Sequence, residues 1–172
     1  MIVEILIDGT PAPQGSKTPW GSEANANTKP WRGTVAAAGA HVMGERGLLA
    51  GALSLEVAFV FPRPKSHYGT GKRSTLLKPS APTFMPSPPD VDKLVRAIAD
   101  ALQGVVYRND SQLAVVYARK FYGPRAYCQL VVSELPQVLP VDAPSRRERL
   151  LKACDGDTKQ ARNVEKAVGG KA

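Results

Sequence analysis

The sequence predicts an α+β domain in which an antiparallel or mixed sheet of about four strands is flanked by two helices, in the order β-α-β-loop-α-β-β. Three observations lead there. Residues 2–8 and 52–61 alternate side chains with the period of a strand, residues 90–104 repeat apolar side chains with the period of a helix, and stretches rich in proline and glycine divide them. At 172 residues, 43% of them apolar, the chain suffices for one full hydrophobic core and is short for two.

The first element is "MIVEILIDG", where Val3, Ile5 and Ile7 form one apolar face of a strand. Residues 10–33 are crowded with Pro, Gly, Asn and Ser and predict no lasting regular structure. "TVAAAGAHVMGERG", residues 34–47, is alanine-rich and predicts a helix that ends near Gly44 and Gly47. In "ALSLEVAFVF" the residues Leu53, Leu55, Val57 and Phe59 share a face, which gives a second strand. From Pro62 to Pro89 the chain carries seven prolines and five basic residues with no acid, and this predicts a long basic loop. Such a run reads either as a solvated excursion or as a flexible arm that grips phosphates through Lys65, Lys72 and Arg73, with Tyr68 and Phe84 available to stack on bases. "DVDKLVRAIADALQG" is the clearest helix, since Val91, Leu94, Val95, Ile98, Ala99 and Leu102 fall on one stripe and Gly104 supplies the stop. Residues 105–123 and 125–135 then read as two strands of an antiparallel hairpin turning at Gly123-Pro124. The domain is expected over 1–137, followed at 138–172 by a polar basic tail, partly helical or disordered.

The balance of 23 Lys and Arg against 15 Asp and Glu leaves +8, which makes nucleic acid the first partner to consider and an anionic membrane surface the second. No apolar run approaches the roughly 18 residues of a spanning helix. The N-terminus has no basic leader and carries Glu4 and Asp8, so a strand is expected there instead of a signal peptide, and a cytoplasmic location with it. Cys128 and Cys154 have no CxxC spacing and read as structural bystanders, and His41 and His67 are too few for a histidine-based metal centre.

Against this basic background "PPDVDKL" places Asp90 and Asp92 two positions apart. Each alone fits a bland role, as a helix N-cap or a first-turn acid favoured by the helix dipole. Asp110 has no such explanation. A helix over 92–103 rises about 18 Å, and an extended return over 104–110 covers roughly 20 Å, so Asp110 is expected back at the helix start. Three converging carboxylates in a basic protein call for a divalent cation, and oxygen-only ligands point to Mg²⁺, with Mn²⁺ the alternative. Arg96, four residues from both Asp92 and Asp100, is either their ion-pair partner or a cation facing a scissile phosphate.

The stretch "PPDVDKLVRAIADALQGVVYRNDSQL", residues 88–113, resembles the core of the RusA family of Holliday junction resolvases. That pattern has a PD-hydrophobic-DN-L start, a lysine within the helix, "DAL-x-G", and a "DD" or "ND" before S/A-Q. "PAPQGSK" and "FPRPKSH" extend the likeness more loosely. The resemblance implies a RusA-like fold and a small homodimeric Mg²⁺-dependent endonuclease that binds four-way DNA junctions and nicks symmetric strands. By it Asp90, Asp92 and Asp110 become metal-binding catalytic carboxylates. Arg96 stands where the family usually has a functional lysine, which makes its role electrostatic. Lys93 replaces the usual Asn after the second Asp and is a candidate phosphate contact. The reading from another class is a junction- or single-strand-binding protein without catalysis, which needs none of the three aspartates. A glycosyltransferase of the DxD type fits less well, because here the pair opens a helix behind prolines.

Overall fold

A computed structural model describes residues 1–15 and 25–136, and its elements form one unit, Met1–Leu135. The tail expected at 138–172, and Cys154 within it, lie outside the described residues. The elements run β1 (Ile2–Asp8), α1 (Thr28–Met43), β2 (Leu53–Pro62), α2 (Val91–Leu102), β3 (Leu113–Gly123) and β4 (Tyr127–Glu134). The class is therefore α+β with a four-stranded mixed sheet and two helices, in the order β1-β4-β2-β3.

Strands β1 and β2 form as the alternation predicts. Val3, Ile5 and Ile7 are buried, as are Leu53, Leu55, Val57 and Phe59. These side chains form one core with Trp31 and Val35 of α1 and with Leu94, Ile98 and Leu102 of α2. Close approach of the helices depends on Gly39, where an added Cβ would lie 3.0 Å from Leu102 Cδ2 and 3.2 Å from Val105 Cγ1. Beside β1, Cys128 is buried and its thiol is pushed up to about 12 by desolvation, so it remains protonated core, as a bystander should.

Two expectations are corrected. The first helix starts at Thr28, six residues before the expected start. Pro30 falls in its first turn, where a missing N–H costs nothing, and burial of Trp31, Val35, Gly39 and Met43 at four-residue spacing draws the turn into the helix. It ends at Gly44, whose φ of 53° most side chains avoid.

The hairpin is the second correction. β3 and β4 do not pair with each other. β2 lies between them, parallel to β3 (Val57↔Ala118) and antiparallel to β4 (Val57↔Leu130). The four Cα steps from Gly123 to Tyr127 span up to about 14 Å, enough to cross one strand with neighbours roughly 4.8 Å apart. Burial explains the choice. Cys128, Leu130 and Val132 of β4 are buried and need a neighbour on each side, whereas Ala114–Tyr117 of β3 are exposed and suit an edge. Nor does a strand begin at residue 105: Val105 and Val106 donate to Leu102 O in a turn after α2, and β3 starts only at Leu113.

Candidate active site

α2 begins where the two aspartates stand. Asp90 occupies the N-cap position with extended backbone (φ −66°, ψ 140°), and its carboxylate makes no capping hydrogen bond. It receives Lys93 Nζ at 2.7 Å instead, an exposed pair that holds the Asp90 carboxyl below its usual range and raises Lys93. Lys93, expected as a phosphate contact, thus points its ammonium at Asp90. Asp92 sits exposed in the first turn of α2 with no ion pair to another described residue. Because Asp90 lies outside the helix proper, the roughly 200° that separates positions two apart on an ideal helix does not hold the two carboxylates on opposite sides.

The turn that carries Asp90 is clamped by a residue that sequence reasoning missed. Lys120 of β3 donates from Nζ to Ser87 O at 2.8 Å and to Pro89 O at 2.7 Å. Alongside, Met85 N donates to Lys120 O, Tyr122 N to Thr83 O, and Phe84 packs on Phe121 at 5.0 Å between ring centroids. Residues 83–89 are so laid along the upper part of β3, and the ammonium adds positive potential beside Asp90. A lysine thirty positions from the motif has no local pattern to reveal it; only the pairing of β2 with β3 brings it there.

Arg96 is exposed and forms no ion pair with another described residue. One of its expected partners is engaged elsewhere: Asp100 Oδ2 accepts Gln14 Nε2 at 2.6 Å, while Gln14 N donates to Lys93 O, which ties the "PAPQ" segment along α2. Asp110 is exposed in a short turn before β3, built by Asn109 Oδ1 accepting from Ser111 N and Gln112 Oε1 accepting from Arg108 N and Asn109 N. The buried Tyr107 hydroxyl donates to Ala99 O at 2.9 Å, and burial first, then the charges of Asp110 and Asp100, raise its pKa.

The expected extended return from Gly104 is replaced by a tight turn, and among the described residues no three Asp, Glu, His or Cys side chains are gathered closely enough to hold a metal ion. The ends of β3 explain why. Lys120, near its finish, contacts the start of α2, and Asp110 precedes its beginning, so roughly 23 Å of strand from Leu113 to Lys120 separates the two levels.

Among the basic residues between β2 and α2, Lys65 belongs to one 3₁₀ turn and Lys72 and Arg73 to another, all three exposed. The two turns are joined by Gly69 N donating to Leu76 O and Lys78 N to His67 O. Arg63 anchors the segment, donating to Pro82 O at 2.6 Å and lying over the Tyr122 ring. Of the two aromatics expected to stack on bases, Phe84 is 60% exposed and Tyr68, whose backbone bridges to Leu77, is half-buried.

Comparison with known proteins agrees with the motif. A protein of Bacillus subtilis (strain 168), uncharacterized protein YqaN, is 29% identical over 93 residues, a stretch that takes in 51% of this chain and 61% of that protein. The chain therefore spans less than two thirds of that relative's length. The family model for endodeoxyribonuclease RusA matches residues 9–132, which contain both helices, β2, β3, most of β4 and all three aspartates. On that match, over most of its length, the chain belongs to the RusA endodeoxyribonuclease family.

Proposed function

We propose that the protein is a Mg²⁺-dependent endonuclease that binds four-way and related branched DNA and resolves it by paired nicks, acting as a homodimer. The observation that carries this reading is the pair of exposed carboxylates at the start of α2, neither used by the fold as a cap, inside the span that matches a nuclease family. The donor set is all oxygen, and an exposed Asp92 beside an Asp90 held in its ionised form suits a hard divalent cation better than a soft one. Asp90 and Asp92 would hold the ion, while Asp110, held near the opposite end of β3 within one chain, joins the set on the family pattern alone. When bound, it supplies Lewis acidity toward the scissile phosphodiester and lowers the pKa of a water. The chain's own residues do the rest. Lys120 fixes the turn that presents Asp90, Arg96 places a guanidinium with no ion pair to another described residue one helical turn beyond Asp92, and Lys65, Lys72 and Arg73 offer ammonium and guanidinium groups to the DNA backbone, with Lys93 available to it when released from Asp90.

The test is direct. Purified protein incubated with labelled four-way junction, linear duplex and single strand nicks the junction at symmetric positions with Mg²⁺ and leaves it intact with chelator. Binding without nicking under both conditions would favour the non-catalytic junction-binding alternative.

A second expectation concerns the exposed basic turns. Neutralising Lys65, Lys72 and Arg73 together weakens junction binding and flattens its salt dependence, since each lost phosphate contact lowers the log–log slope by about 0.9 on duplex DNA. The measurement is binding across a salt titration. An unchanged slope would leave these side chains as solvated surface.

A further inference from the structure

Both helices pack on one face of the sheet, and among the described residues no helix covers the other. The strand register sets the rows of that open face. Phe121, Val60 and Tyr127 stand side by side, followed by Arg119, Ala58 and Gln129, then by Tyr117, Glu56 and Val131. Along β3, Tyr117, Arg119 and Phe121 thus form one column with steps of roughly 6.6 Å. The Arg119 guanidinium lies over both rings, 4.8 Å from the Tyr117 centroid and 5.6 Å from that of Phe121, and forms no ion pair with another described residue. Phe84 extends the column past the edge of β3, because its bridge to Phe121 sets it on the same face and its ring tilts onto that of Phe121. On the far side Arg125 lies over the Tyr127 ring at 5.3 Å and pairs with Asp8. These rings are not sheltered by the fold: Phe84 and Tyr117 are 60% and 53% exposed.

We infer that this face is a stacking platform for unpaired DNA, on which bases of a single-stranded arm lie across Arg119, Phe121 and Phe84. Aromatic rings and guanidinium planes stack on any base, and a four-stranded sheet that presents them on an open face has room for about two or three bases. A guanidinium held between two rings with no carboxylate beside it is a plane for a base and a charge for its phosphate, which favours a nucleic acid over an apolar protein partner. The unpaired acids of this face, Glu4 and Glu56, stand in the Tyr117 row, so the path ends there and points toward Phe84. Phe84 belongs to the strip that Lys120 clamps. Lys120 pairs in register with the buried Phe59, on the helix face, and its ammonium reaches Pro89 O beside Asp90. The strip therefore passes over the edge of the sheet, with the platform on one face and the start of α2 on the other. A branch point seated on that edge sends its unpaired arm over Phe84 while the strand to be cut lies at Asp90. The arm as part of a substrate rests on the nuclease reading above, whereas the platform itself is tested without cleavage.

The full chain is titrated, with chelator in place of Mg²⁺, into a labelled short oligodeoxythymidylate, a fully paired four-way junction, and the same junction with one arm single-stranded. Wild type binds the oligodeoxythymidylate and prefers the junction with the unpaired arm. Phe84→Ala and Arg119→Ala each weaken oligodeoxythymidylate binding by at least about fivefold, as expected for the loss of one stacked base, and remove that preference. Phe84→Ala takes away no charge, so its affinity for the fully paired junction stays within about twofold and its salt dependence matches that of wild type. Phe84→Trp, which keeps a ring, binds the oligodeoxythymidylate at least as well as wild type, and Leu6→Ala, which removes an exposed aliphatic from the same face, changes nothing. Photo-cross-linking of an iododeoxyuridine-substituted oligonucleotide marks the peptides that carry Phe84 and Phe121. Failure of wild type to bind the oligodeoxythymidylate, wild-type binding by both alanine variants, or cross-links confined to other peptides overturns the platform. If wild type binds through these rings but cuts no branched DNA with Mg²⁺, the nuclease reading falls and the platform stands.

Discussion

Asp92→Asn is expected to lower Mg²⁺-dependent junction nicking by at least about 10³-fold while leaving junction binding in place. Charge stabilisation by a bound ion supplies several kcal/mol to the transition state, and about 4 kcal/mol corresponds to roughly three orders of magnitude. On the proposed function the substitution removes a charge that holds the metal and no phosphate contact. It also spares the fold, since the Asp92 carboxylate is exposed and makes no ion pair with another described residue. Asp90→Asn and Asp110→Asn are expected to behave alike. In Asp90→Asn the Lys93 ammonium loses its partner, so any change in binding should run toward tighter DNA. The measurements are single-turnover nicking rates, junction affinity and melting temperature for the three variants. Near-wild-type cleavage by two of them would sink the triad, and joint loss of binding and stability would return Asp90 and Asp92 to a structural role.

What was legible in the sequence follows from how each element is buried. β1, β2 and α2 each have one face in the core, so Val3, Ile5 and Ile7, or Leu94, Ile98 and Leu102, repeat with the period of their element. Even there the stripe of α2 is turned: Val91 is 37% exposed, and the small Ala97 and Ala101 are buried in its stead. The start of α1 was hidden because Pro30 and Gly33 read as breakers, although Pro30 costs little in a first turn and burial of Trp31 and Val35 offsets the roughly 1 kcal/mol that a helical glycine costs. Strand partnership is a different kind of information. β3 exposes both faces along Ala114–Tyr117 and so shows no alternation, and nothing local says that β4 belongs between β1 and β2.

The candidate site divides along the same line. Asp90 and Asp92 stand out because two acids behind two prolines are unusual in a chain of net charge +8, and a single helix start holds both. Asp110 is legible as part of a pattern of residues but not as a position. Its place depends on the turn at Gly104–Tyr107 and on β3 running parallel to β2, which carries the chain away from Asp110 toward the level of Asp90. Lys120 is invisible for the same reason, and the engagement of Asp100 by Gln14 needed a contact across 86 positions.

That engagement of Asp100 bears on the largest effect expected outside the carboxylates. Spacing alone allowed Arg96 to be a helix-surface partner of Asp92 and Asp100, a role worth only about 0.2–0.5 kcal/mol per pair. In the structure Asp100 hydrogen-bonds Gln14 and Arg96 forms no ion pair with another described residue, so its guanidinium is left facing solvent on the flank of α2 that carries Asp92. A charge kept free one turn from two carboxylates has little to contribute to folding and much to a phosphate whose charge grows in the transition state, where removal of one preorganised donor typically costs roughly 100-fold or more. Arg96→Ala is therefore expected to lower the single-turnover nicking rate by at least about that factor with melting temperature almost unchanged. Arg96→Lys, which restores the residue usual in the family pattern, keeps the positive charge and stays active, although the ammonium lacks the two-pronged geometry of the guanidinium. Rates measured across pH separate this from proton transfer, because a guanidinium remains charged throughout and its loss lowers the whole profile without moving its limbs. An Arg96→Ala protein that nicks at close to the wild-type rate would leave the residue as exposed helix surface.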